Sequence, residues 1–132
     1  MYKHNTAIRV RYEETDRMGV VYYGKYFVWF EVARTEHFRE LGLSYSELEK
    51  RGIRIMVVDA RCIYRNPVTY DDIVDIQTRI LNVKNTSMVF TYNLYNEGKL
   101  VATGETGHVF TDEKGRPIRI PTEIKRSINA SI

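Results

Sequence analysis

Apolar residues recur at helical spacing through residues 23–42, where Tyr26, Phe30, Ala33, His37 and Leu41 line one face. No proline intervenes, and no glycine stands between Gly24 and Gly42. Gly42 suits a helix C-terminus. Phe27, Val28, Trp29 and Val32 fill the other faces of the first half, so the pattern predicts a helix enclosed by protein on all sides. Ahead of it, the alternation at Ala7, Ile8, Arg9, Val10 and Arg11 predicts an edge strand over residues 6–12. Behind it, Ser44 with Glu47 three residues on predicts a capping box and a short second helix, ended by Gly52.

Period-two patterning dominates the remainder. Residues 53–65 place Met56, Val58, Ala60, Cys62 and Tyr64 on one face and Asp59, Arg61 and Arg65 on the other, until Asn66-Pro67 breaks the run. Residues 73–83 resume it, with Val74, Ile76 and Ile80 on one face, and Lys84 to Ser87 turn the chain. Met88, Phe90, Tyr92 and Leu94 then alternate as far as Asn96-Glu97-Gly98, and Leu100, Ala102, Gly104, Thr106, His108 and Phe110 alternate after it, which predicts a hairpin. Residues 121–132 suit a short, partly frayed helix. Strand, long helix, then four long strands predict an α+β domain: an antiparallel sheet, its consecutive strands largely neighbours, curled round one helix. Val89, Tyr95, Val101 and Val109 fall on the outer positions of the strands, which predicts association that covers strand edges.

Composition narrows the class. The chain has 132 residues, of which 43% are hydrophobic and 12% aromatic, with ten tyrosines, as expected of one globular domain. No apolar run approaches the roughly 20 residues that span a bilayer, and Met1-Tyr2-Lys3-His4-Asn5 does not lead into a signal-peptide core. Net charge is +3 and the isoelectric point about 9.0. That balance suits an anionic ligand, but the basic residues are scattered without the dense stripe of a nucleic-acid protein. Cys62 is the single cysteine, which excludes an internal disulfide and fits a reducing compartment.

Candidate chemistry concentrates where the long helix begins. Val21-Tyr22-Tyr23-Gly24 offers no Ser, Thr, Asp or Asn to cap the first amides. A buried helix that starts with free N–H groups is a ready site for a developing negative charge. Asp16 lies just upstream, and Met18-Gly19 permits the sharp turn that folds its carboxylate back towards those amides. An acid beside an oxyanion site suits acyl transfer or hydrolysis; the plainer alternative is that Asp16 only caps a turn. Other chemistries lack their residues. His4, His37 and His108 show no metal-ligand spacing with each other or with Cys62, the glycines form no phosphate loop, Cys62 alternates with apolar neighbours as a core residue does, and no G-x-S-x-G elbow exists.

The stretch T-D-R-M-G-V-V-Y-Y-G-K-Y-F-V-W-F-E-V-A-R-T-E over residues 15–36, with Y-R-N-P-V-T-Y-D-D over 64–72 and G-R-P-I-R-I-P over 115–121, resembles the hotdog-fold acyl-CoA thioesterases, in particular the 4-hydroxybenzoyl-CoA thioesterase and YbgC-like group. The resemblance covers almost the whole chain. It implies a single hotdog domain over residues 1–132: an antiparallel curved sheet of five or six strands wrapped round one long central helix. It implies a cytoplasmic hydrolase without cofactor or metal that cleaves acyl-CoA to a carboxylic acid and free CoA, as homodimers pairing into tetramers with sites at the dimer interface.

By that resemblance Asp16 is the catalytic acid, either as nucleophile or as general base, and the backbone N–H of Tyr23 polarises the thioester carbonyl. Gly19, Tyr22, Tyr26, Met56, Val57 and Val58 border the substrate, the last three from the partner chain, and Lys84, Lys125 and Arg126 contact CoA phosphates. Many YbgC-like members carry His where this chain has Tyr23, so no imidazole role is available here. Glu31 is the rival acid, because other hotdog branches carry theirs on the helix, but Arg34 stands three residues on as an ion-pair partner and a structural role is expected. A hotdog dehydratase would need a helix-borne acid with a histidine, a pattern this chain lacks. The alternative class is a non-catalytic acyl-CoA or acyl-carrier-protein binding scaffold.

Overall fold

A computed structural model describes residues 3–131. Strand β1 (His4–Arg9) leads through a 3-10 turn (Tyr12–Glu14) to helices α1 (Lys25–Glu40) and α2 (Tyr45–Lys50). Strands β2 (Arg54–Tyr64), β3 (Ile73–Leu81), β4 (Ser87–Asn96) and β5 (Lys99–Thr111) follow, then helix α3 (Thr122–Ala130). All strand pairs are antiparallel, in the order β1-β3-β4-β5-β2. Consecutive strands are neighbours only from β3 to β5; β1 and β2 take opposite edges. None of the described helices is long and apolar enough to cross a membrane.

The expected β4–β5 hairpin forms because Glu97 and Gly98 both adopt positive φ, 51° and 80°, the geometry that matches strand twist. Alternation places Val74, Ile76, Ile80, Met88, Phe90, Tyr92 and Leu94 in the core as read. The first strand starts at His4 rather than residue 6, and Tyr12 belongs to the turn. The last expected helix runs from Thr122 to Ala130, with Ile124 and Ile128 buried; Ile132 lies outside the described residues. Val101, expected at an outer position, is buried, and its carbonyl accepts the amides of Arg65 and Asn66.

Helix α1 spans sixteen residues and buries Tyr26, Trp29, Phe30, Ala33, His37 and Phe38. Phe30 stacks on Tyr92 of β4 with ring centroids 4.3 Å apart, and Gly104, the register partner of Tyr92, makes the seat: a Cβ there would lie 2.2 Å from Phe30 Cζ. The helix touches β1, β2 and β3, hence both edges of the sheet.

Two expected features of the helices are absent. The helix α1 is not enclosed all round, for Val28 and Val32 remain 45% and 40% exposed. The Ser44 capping box does not form: no side chain caps α2, and Ser44 Oγ pairs with Ser46 Oγ at 2.9 Å. The faces read for residues 53–65 are interrupted by a bulge at Val58, since Val57 pairs with His108 and Asp59 with Gly107. Asp59 Oδ1 accepts the Gly107 amide at 2.9 Å, in space a Cβ at Gly107 would occupy.

Candidate active site

The helix α1 begins without a side-chain cap, as its sequence required. Gly24 holds the N-cap position with helical φ and ψ, and the Lys25 amide turns back to the Tyr22 carbonyl at 2.9 Å. The amides of Tyr23 and Gly24 donate to no acceptor among the described residues. The peptide that carries the Gly24 amide is held from its far side, where Tyr64 of β2 donates its hydroxyl to the Tyr23 carbonyl at 2.8 Å; the peptide that carries the Tyr23 amide is held through the Tyr22 carbonyl, which accepts the Lys25 amide. Burial, with Cys62 beside it, pushes the Tyr64 hydroxyl up, so it stays a donor at neutral pH.

Asp16 reaches this point through a tight turn. The Asp16 amide donates to the Val20 carbonyl at 2.9 Å, the Gly19 amide to the Asp16 carbonyl at 3.0 Å, and Gly19 adopts a φ of 79°. Thr15 bridges Val21, and Val20 bridges Thr69. Asp16 Oδ1 accepts the Met18 amide at 2.8 Å, so the carboxylate does cap its own turn; Oδ2 accepts from no described residue. Asp16, Val20, Val21, Tyr23, Tyr26, Tyr64, Arg65, Asn66 and Pro67 line one cleft of about 350 Å³. The turn-capping and site readings of Asp16 are therefore compatible: one oxygen holds the turn while the residue borders the cleft at the helix start.

The remaining expected site residues divide. Tyr26 lines the cleft and is buried, which pushes its hydroxyl up to about 12. Tyr22 is outside the lining; its ring lies beside that of Tyr23, with centroids 4.6 Å apart, and covers Gly24. Gly19 shapes the turn rather than the wall. Met56, Val57 and Val58 stand on the exposed outer edge β2 and are not among the residues that line the Asp16 cleft of the same chain. Lys125 and Arg126 line a separate cleft of about 730 Å³ with Arg119, Pro121 and Asn129, and Lys84 is exposed outside it.

The expected Glu31–Arg34 ion pair is not among those formed by the described residues. Arg34 instead influences Tyr45, Tyr92 and His108, whose hydroxyl or ring titrations it shifts. Sequence reasoning missed Tyr64 and Glu14. Nothing in the local spacing of Tyr64 reveals that it reaches a carbonyl 41 residues away.

The fold and the cleft together fit a thioesterase-like domain: an antiparallel sheet carrying a helix whose uncapped start shares a cleft with a carboxylate residue. The family model described as "Thioesterase-like superfamily" matches residues 10–128, and the chain belongs to that superfamily. It is 36% identical over 121 residues to the putative acyl-CoA thioesterase YneP of Bacillus subtilis, across 90% of this chain and 88% of that one. It is also 36% identical over 119 residues to the acyl-CoA thioester hydrolase YbgC of Escherichia coli O157:H7, across 89% of each. The solved DHNA-CoA thioesterase of Staphylococcus aureus superposes with a TM-score of 0.93 at 36% identity, covering 98% of this chain and 93% of that one. The chain accordingly stands among thioester hydrolases.

Proposed function

We propose that this protein hydrolyses the thioester of an acyl-CoA to a carboxylic acid and free CoA, with Asp16 as the reacting carboxylate and the Tyr23 amide as the oxyanion donor. The observation that carries this reading is the shared cleft: Asp16 and Tyr23 line it together, and the Tyr23 N–H has no described acceptor of its own. The names of the relatives supply the substrate class.

With the thioester carbonyl oxygen on the Tyr23 N–H, charge that develops on that oxygen meets a donor already oriented by the helix start, so little reorganisation is needed. The carbonyl carbon then faces Asp16. In one route a carboxylate oxygen attacks it, the C–S bond breaks, the thiolate leaves and takes a proton, and water cleaves the mixed anhydride to regenerate Asp16. In the other Asp16 accepts the proton of a water that attacks the same carbon, the same bond breaks, and Asp16 passes that proton to the leaving thiolate. Both consume one water and leave the enzyme unchanged.

In one chain the cleft is open and Asp16 is exposed. A second protomer laid along the unpaired edge of β2 would bring Met56, Val57 and Val58 against it, which is the homodimer we propose, with tetramers built from such pairs. Lys84, Lys125 and Arg126 are the proposed contacts for CoA phosphates. The test is thiol release from short, long and aromatic acyl-CoAs: native protein turns over at least one class, and Asp16→Asn loses on the order of 10²–10⁴ in kcat. Acyl-CoA binding without thiol release by the native protein would favour a binding scaffold instead.

A further inference from the structure

One carboxylate outside the cleft is as buried as the hydrophobic core: Glu14 is 1% exposed. Its Oε1 accepts the Arg11 amide at 2.8 Å, its Oε2 accepts the indole N–H of Trp29 at 2.7 Å, and the Arg11 guanidinium lies 3.4 Å from Oε2. Its backbone carbonyl accepts the Tyr22 amide at 2.8 Å. A carboxylate removed from water is costly unless such donors replace the solvent. Burial alone would raise its carboxyl; the bonds from Arg11 and Trp29 overcome this and hold it below the ordinary carboxylate range.

The connections of Glu14 run to both halves of the cleft. Asp16 is two residues downstream on the same turn, Tyr22 immediately precedes the Tyr23 amide, and Trp29 sits inside α1 five residues after the Gly24 cap. We propose that Glu14 is a positioning residue for the hydrolysis: its carboxylate locks the turn that carries Asp16 to Trp29 of α1, and its carbonyl locks the same turn to Tyr22, which fixes Asp16 relative to the Tyr23 amide. This rests on the assignment of Asp16 and Tyr23 above. A neutral amide cannot serve the site equally, because the Arg11 and Trp29 groups are both donors, and the –NH₂ of a glutamine must face one of them.

Trp29 is the only tryptophan of the chain, so its emission reports the Glu14 contact directly. Glu14→Gln should shift that emission, keep the far-ultraviolet spectrum, and lower kcat by about tenfold or more with KM within about threefold, since misplacement acts on the reacting geometry rather than on uniform binding. In the Asp16→Asn background the same change should cost less than about twofold further, because the residue it positions is already disabled. A shifted emission with native kcat, or losses that multiply in the double variant, would overturn the proposal while the role of Asp16 stands. If Glu14→Gln does not fold, Trp29→Phe serves: it removes one donor and leaves the Arg11 and Tyr22 links, and a native kcat in that variant overturns the proposal. Full activity in Asp16→Asn alone removes both the assignment of the cleft and the role of Glu14.

Discussion

At the scale of single residues, close approach and burial set costs that can be read directly. Gly104 lies under Phe30 with no room for a methyl group, the nearest ring atom being 2.2 Å from an added Cβ. Gly104→Ala should therefore destabilise the fold by roughly 1–3 kcal/mol, as overpacking does, seen as a lowered urea midpoint. His37 and His108 are both buried, and burial lowers each to about 4, with His4 adding to the effect at His37 and Arg34 at His108. The unfolded chain binds these two protons near pH 6.5 and the folded chain only near 4, so the unfolded state holds more protons across that interval. Stability should fall on acidification from 6.5 towards 4, by on the order of 3 kcal/mol per histidine, measured as urea unfolding against pH. His108→Gln should flatten part of that slope. Little of this was legible beforehand: His108 falls on the alternating inner face of β5, but its depth depends on Phe90 and Arg34, which arrive from other elements.

At the scale of elements, β2 meets the helix start at the Tyr23–Gly24 peptide, the next one along the chain from the Tyr23 amide. Tyr64→Phe deletes the bond to the Tyr23 carbonyl and leaves the ring against Tyr26. One hydrogen bond is worth about 0.5–1.5 kcal/mol, so kcat should fall by no more than about tenfold, far less than for Asp16→Asn. Tyr23→Ala keeps the amide and should likewise cost much less than Asp16→Asn. The parts of the site that lie close in sequence were readable: the uncapped helix start, the turn at Met18-Gly19 and Asp16 ahead of it. Tyr64 and Glu14 were not, since one acts across 41 residues and the other reveals itself only when Trp29 is seen to face it. The capping box at Ser44 failed for a related reason, because the Ser44 hydroxyl found a nearer partner in Ser46. Strict alternation likewise cannot announce the bulge at Val58, which depends on pairing with β5.

At the scale of the whole molecule, period-two and helical patterns disclosed the antiparallel sheet, its helix and the β4–β5 hairpin, because those contacts are local. The placing of β1 beside β3 and of β2 beside β5 is a long-range outcome that periodicity does not encode. The eleven-residue β2 edge is exposed along most of its length and carries Val58 at 59% exposure, while Val28 and Val32 stand bare on α1. An apolar edge of this length favours pairing with another strand. Val58→Lys should shift sedimentation from dimer towards monomer and reduce thiol release, since the bulge would carry a charge into the proposed interface. The account as a whole turns on the carboxylate at the helix start, and thiol release from acyl-CoA by native protein and by Asp16→Asn tests it most directly. A loss on the order of 10²–10⁴ in kcat with the far-ultraviolet spectrum unchanged is the predicted result; native turnover in the folded Asp16→Asn variant would contradict it.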